Sequence, residues 1–255
     1  FTANTMATTL SVMGLSPMGL NDLPATHPDK EKAARKAGIA VMDTFRQSLR
    51  PSQIVGKQAI ENAAASVAAT GGSTNAVLHL LAIAHEAGVD FTLDDTDRIN
   101  TATPLLADLK PGGRYTAPDM FEAGGVPLLA KRMLAAGLLH DILCVNGRTL
   151  SQQVDESREK TGQKVLKNTN SPLKPEGGLA VLWGNLAPEG AIVKTSGHNW
   201  RKHSGPARVF DGEEPCFEAI NNGTIRPGEV VVIRNEGPKG GPGMREMLAV
   251  TAAIQ

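Results

Sequence analysis

Residues 162–178 constrain the organisation of this chain more than any other stretch. They are polar, rich in Lys, Asn, Pro and Gly, and show apolar spacing of neither helix nor strand. A linker is expected there, separating a first domain at 1–165 from a second at 175–255. The texture differs on its two sides. Upstream, Ala34, Ala37, Val41, Met42 and Phe45 recur at helical spacing within 28–45, and Pro28, Asp29 and Glu31 suit a first turn. Further helices are expected from about Ser52 to Ala68, from Ser73 to Glu86 with Gly88 as terminator, and over 93–100, 118–122 and 126–136. Downstream come short runs rich in Val and Ile, each bounded by Gly or Pro, at 179–183, 191–194, 207–210 and 229–233. These read as strands, with one helix near 215–221 and another from about Met244. The expectation is an α-rich domain followed by a β-rich one.

Composition excludes several partners. Lys plus Arg and Asp plus Glu number 26 each, so no global field favours nucleic acid or an anionic membrane, and any anion site must be local. The longest apolar stretch, around 76–84, is broken by His79 and falls short of the roughly 20 residues of a membrane span. With 41% hydrophobic residues the chain can bury a sizeable core as a soluble protein. Cys144 and Cys216 have no metal-type spacing and suggest no disulfide framework, which points to a reducing compartment. The opening residues do not read as a secretory signal, and the missing initiator Met suggests an absent upstream part.

Three glycine-rich loops carry the chemistry. In Glu236-Gly237-Pro238-Lys239-Gly240-Gly241-Pro242-Gly243, the glycines let a ligand approach the backbone, while Lys239 and a following helix N-terminus favour an anion. Glu236 repels that anion unless a cation lies between them, and a hard divalent ion such as Mg²⁺ resolves the conflict. A glycine-rich turn with a solvated Glu is the other reading. Thr70-Gly71-Gly72-Ser73-Thr74-Asn75 enters a helix with Ser73 as candidate cap, its amides either simply capped or facing an anion. Lys110-Pro111-Gly112-Gly113-Arg114-Tyr115 reads as a turn. The candidate substrate-binding residues are therefore Gly72, Ser73, Lys239 and Gly240, and the candidate metal ligand is Glu236. His79 and His85, six apart, share no helix face as a metal pair would, and His198 and His203 read as loop residues. No nucleophile elbow or Walker loop occurs.

Together, Phe1-Thr2-Ala3-Asn4-Thr5-Met6, Gly71-Gly72-Ser73-Thr74-Asn75-Ala76, Trp183-Gly184-Asn185-Leu186-Ala187-Pro188 and the loop from Glu236 to Met244 closely resemble the dihydroxy-acid and phosphogluconate dehydratase family, over essentially the whole chain. The opening motif resembles the branched-chain biosynthetic members. The resemblance implies an α/β fold: a helix-rich partial amino-terminal domain followed by a partial swivelling β-barrel-like domain. It also implies a hydro-lyase turning 2,3-dihydroxy-3-methylbutanoate and its homologue into 2-keto acids for valine and isoleucine synthesis. The implied cofactors are an iron–sulfur cluster, 2Fe–2S in preference to 4Fe–4S, and Mg²⁺, with Glu236 matching the family's Mg²⁺-binding glutamate. A small dihydroxy acid is the implied partner, in a homodimer that is cytoplasmic in bacteria and mitochondrial or plastid in eukaryotes.

The resemblance places the cluster cysteines and the other Mg²⁺ ligands upstream of Phe1, and the catalytic serine beyond Gln255. No catalytic residue is thus expected within the chain, which reads as truncated at both ends and inactive alone. Cys144 and Cys216 match no cluster position. Two alternatives stand beside this reading: a sugar-acid or phosphogluconate dehydratase of the same family, and an inactive fragment that only binds.

Overall fold

The computed structural model describes residues 2–155, 157–197, 202–237 and 247–254. Two compact units divide at 198/199. The first holds α1 (Thr2–Val12), α2 (Lys30–Arg46), α3 (Pro51–Ile54), α4 (Lys57–Thr70), α5 (Asn75–Glu86), α6 (Leu93–Ala102), α7 (Ala117–Ala123), α8 (Gly125–Ala135) and α9 (Leu150–Val154), followed by an antiparallel hairpin of β1 (Leu179–Leu182) and β2 (Ala191–Lys194).

At the centre lies α4, whose run of Ala63, Ala64, Ala65, Val67, Ala68 and Ala69 is buried on nearly every side. A helix apolar all round belongs in a core, and alanines let its neighbours approach closely. Gly71, in the left-handed conformation at φ 57°, ends it. Packed on α4 are α1, α5 and α6. The α1 helix has no apolar stripe: Thr5, Thr8, Thr9 and Ser11 are buried, and β-branched threonines lower helix propensity, so pattern reasoning finds no helix there. Tertiary packing supplies what propensity lacks. The helix expected from Ser52 to Ala68 is broken by Gly56 into α3 and α4.

The expected linker does not separate the compact units. Within 162–178, Val165 and Leu166 are buried in the helical core, Leu166 bridges to Ala107, and Lys174 bridges to Leu105. Two isolated apolar residues and backbone pairing attach the segment, and neither produces the periodicity on which a sequence reading depends. The β1–β2 hairpin, expected in a β-rich second domain, belongs to the same core through Leu179. Asn100 holds it, accepting from the Leu179 amide at 3.2 Å and donating to the Leu179 carbonyl.

The second unit contains β3 (Ala207–Asp211), α10 (Glu213–Asn221), β4 (Val230–Arg234) and α11 (Leu248–Ala253). β3 and β4 pair in parallel, from Ala207 with Val230 to Asp211 with Arg234. Parallel neighbours need a long crossover, and α10 supplies it. Asp211 and Arg234 form an ion pair at the strand ends, and the guanidinium lowers the pKa of the Asp211 carboxyl. The chain is thus α/β and rich in helix. Among the described residues its strands form two separate two-stranded sheets and close no barrel, and no helix is long and apolar enough to cross a membrane.

Candidate functional site

A cavity of about 340 Å³ opens in the first unit where four segments meet: the start of α1, the α4–α5 loop, the loop leading to α7, and the end of β2. Each wall has a local cause. Thr5 on α1 faces the α4–α5 loop, and its hydroxyl accepts the Ser73 amide at 3.0 Å. Thr2 and Ser73 share a hydroxyl–hydroxyl bond at 2.8 Å, and Asn75 donates its side-chain amide to Thr2 at 3.0 Å. Gly72 is required by this approach, because a Cβ there would lie 2.7 Å from the Thr5 Cγ2 methyl.

Asp108, buried, fixes the third loop. Its carboxylate accepts the Arg114 amide at 3.0 Å and the Arg114 Nε at 2.7 Å, and this pairing raises the guanidinium's pKa further. Lys110 and Tyr115 close the loop, the Lys110 amide donating to the Tyr115 carbonyl at 2.8 Å across a turn that contains a cis Lys110–Pro111 bond. Lys194 ends β2 and donates to the Gly71 carbonyl at 3.2 Å. Behind it, Gly178 crosses Gly71 so closely that a Cβ would lie 2.4 Å from the Gly71 Cα.

Chemically the cavity is one-sided. Asn4, Thr5, Thr8, Thr70, Ser73 and Tyr115 offer neutral polar groups, Lys110 and Lys194 bring positive charge, and among the described residues no carboxylate lines it. Such a wall suits a small anion bearing hydroxyl groups. Gly72 and Ser73 are brought to it, but not as an amide cradle. The amides of Gly71 and Gly72 close the end of α4, the Ser73 amide goes to Thr5, and the Asn75 amide goes to the Ser73 hydroxyl. An occupant meets side chains instead of these amides. The turn at Lys110 is part of the wall. Lys194 escapes sequence reasoning altogether, since a lysine ending a short strand resembles any solvated strand end.

Glu236 sits in the second unit and accepts the Glu213 amide at 2.8 Å, capping α10. Lys239 and Gly240 lie outside the described residues, as do His198 and the expected helix start at Met244. Among the described residues no three His, Cys, Asp or Glu side chains gather into a group that could hold a metal. Mg²⁺ takes near-octahedral oxygen coordination, and one carboxylate engaged on a helix end does not make such a site. Cys144 and Cys216 are buried free thiols in different units, with burial pushing Cys144 up to about 11 and raising Cys216. Lying in different units, they form no shared ligand pair. Among the described residues, then, no complete site for the implied cofactors is formed.

The first unit is thus a helix-rich α/β body with a hydroxyl-lined cavity that carries two lysines. The comparisons give the family. The model described as "Dihydroxy-acid/6-phosphogluconate dehydratase N-terminal" matches residues 1–153, and its C-terminal counterpart matches 164–255. The chain belongs to the dihydroxy-acid/6-phosphogluconate dehydratase family. All of its length aligns at 55% identity with a dihydroxy-acid dehydratase of Koribacter versatilis, at 54% with one of Roseiflexus sp. and at 53% with one of Thermus thermophilus. It spans 44% of the first and 46% of each of the others, a little under half the length of these relatives.

Proposed function

We propose that the protein is a hydro-lyase that converts 2,3-dihydroxy-3-methylbutanoate and its homologue into 2-keto acids, and that the cavity at Ser73 holds the substrate. One observation carries this reading. Two stretches resembling the family, at 1–6 and 71–76, converge with the turn at Lys110 and with Lys194 on a single space lined by hydroxyls and two lysines and, among the described residues, by no carboxylate.

In the reaction, the proton on C2 and the hydroxyl on C3 leave together as water, and the resulting enol becomes the keto acid. This chain's residues bind and orient. Lys110 and Lys194 face the substrate carboxylate and balance its charge. Thr5, Thr8 and Ser73 match a diol in hydrogen-bonding capacity and set which face of it is presented. The cavity wall fixed by Asp108 and Gly72 keeps these groups in place before binding, so little is lost in ordering them. Among the described residues no site for a cluster or Mg²⁺ is complete. The cluster, Mg²⁺, cytoplasmic or organellar setting and branched-chain pathway remain part of the proposal and rest on the resemblance of the sequence motifs alone.

Lys194→Met in the native protein tests it. A lost hydrogen bond to a charged group costs about 1.5–3 kcal/mol, or roughly 10- to 150-fold in KM. The expected result is that rise with kcat little changed, and recovery in Lys194→Arg. Unchanged KM, or wild-type preference for 6-phosphogluconate over 2,3-dihydroxy-3-methylbutanoate, overturns the assignment.

A further inference from the structure

The walls of the Ser73 cavity differ in character. Thr5, Thr8 and Ser73 bring hydroxyls from α1 and the α4–α5 turn, whereas the aliphatic side chains Leu109, Pro111 and Ala117 all lie on the loop leading to α7. A substrate with a polar end and an alkyl end sets its alkyl branches against that loop, because apolar surface leaves water there. The distance between the loop and the opposite wall then decides which alkyl group fits.

One side chain stands at that separation. Ser196, 5% exposed, lies two residues beyond Lys194, where the turn 110–113 meets the α4–α5 turn. Its Oγ is 2.9 Å from where a Cβ on Gly112 would stand and 3.0 Å from where one on Gly71 would stand. Both turns bear on this one oxygen, and both line the cavity, through Pro111 and Gly71. The hydroxyl is not a tie between them. It is buried without a hydrogen-bond partner among the described residues, which weakens a fold and does not hold it together. What Ser196 contributes is volume.

The neighbours of Ser196 differ in how far they can yield. Its own amide and that of Thr195 donate to the Gly178 carbonyl at 3.1 and 2.9 Å, and Lys174 donates to the Thr195 carbonyl at 2.6 Å. The α4–α5 turn is held at the end of a core helix. By contrast, the turn 110–113 is anchored at its base by Asp108 and Arg114, while its tip at Lys110 and Pro111 is exposed. Pressure from Ser196 is relieved at that tip, which carries Pro111 away from the cavity.

We infer that Ser196 is a spacer that sets the alkyl-size preference of the cavity, a positioning residue that acts through the turn at Gly112 and does not touch the substrate. The inference rests on the reading of this cavity as the dihydroxy-acid site.

Ser196→Cys in the native protein puts a larger atom at the Oγ position and adds none elsewhere, and Ser196→Ala removes that atom. The measurement is kcat/KM for the one-carbon-longer dihydroxy acid divided by kcat/KM for 2,3-dihydroxy-3-methylbutanoate. Both values come from one preparation, so the ratio is independent of the folded fraction, and a merely structural role leaves it unchanged. It should rise in the order Ser196→Ala, wild type, Ser196→Cys, by about 3-fold at each step, a part of the roughly 10-fold or more that a whole methylene commands. Gly112→Ala, whose Cβ would fall 2.8 Å from the Ser196 carbonyl carbon, presses on the same contact from the other side and should raise the ratio as well. A constant ratio or a reversed order overturns the inference, as does loss of turnover on both substrates in Ser196→Ala, which would put the hydroxyl in the chemistry. Wild type that turns over neither dihydroxy acid overturns the reading of the cavity, and the spacer with it.

Discussion

Gly72→Ala is the sharpest probe of how the cavity is built. The added Cβ falls 2.7 Å from the Thr5 Cγ2 methyl, 3.2 Å from Thr5 Oγ1 and 3.3 Å from the Val67 Cγ1 methyl. Carbon atoms pack at about 3.5–4.0 Å, so α1 has to retreat by most of an ångström at Thr5. Both α1 and α4 are held in the core, and overpacking of that kind costs about 1–3 kcal/mol. Retreat also stretches the 3.0 Å bond from the Ser73 amide to the Thr5 hydroxyl, worth about 1 kcal/mol. A total near ~3 kcal/mol corresponds to a fall of roughly 6–12 °C in Tm for a chain of this size. The assay is calorimetry on wild type, Gly72→Ala, Thr5→Ser and the double variant. Thr5→Ser deletes the clashing methyl and keeps the hydroxyl, at about 1 kcal/mol alone. In the double variant the new methyl fills the space of the old, so the loss should be well below the sum of the singles. Additive losses would show that the contact at Thr5 is not what requires glycine at 72.

Two further outcomes follow from titrating groups. Asp95 is held down to about 2, first by its hydrogen bond with Lys57, at 2.7 Å, then by Arg98 and the Thr92 amide. A lowered carboxyl stabilises the folded state above its unfolded value near 3.8 and loses that contribution as pH falls towards 2. Acid unfolding of Asp95→Asn should lack this component between about pH 4 and 2; a curve parallel to wild type there refutes the pairing. Cys144, raised to about 11 by burial, should resist alkylation at pH 8 in the native protein and react fully once unfolded. Rapid native labelling of Cys144 would contradict its buried position.

Most elements were legible in the sequence because local rules govern them. β2 falls at the expected 191–194, and α5, α6 and α8 begin and end within about two residues of their caps and glycines. The motifs were legible too, since Gly72 and Ser73 announce a backbone that something approaches closely. What the loops do was not. Whether the amides near Ser73 meet a ligand or a neighbour depends on Thr5, remote in sequence, and only the packing of α1 on α4 spends them internally. Lys194 and Lys110 join one cavity for the same reason.

The apolar pattern of α2 determined that it is a helix, because spacing at 3.6 residues is a property of the chain alone. It did not determine which side faces the core. Ala33, Ala40 and Thr44 turn inward and the larger Val41, Met42 and Phe45 turn out, a choice made by the shape of the surface on which the helix rests. Likewise, the polar composition of 162–178 determined that no regular element forms there. Only the tertiary structure decided that it belongs to the helical unit, because two buried side chains and a few backbone bonds suffice to hold a segment to a core while leaving no period in its sequence.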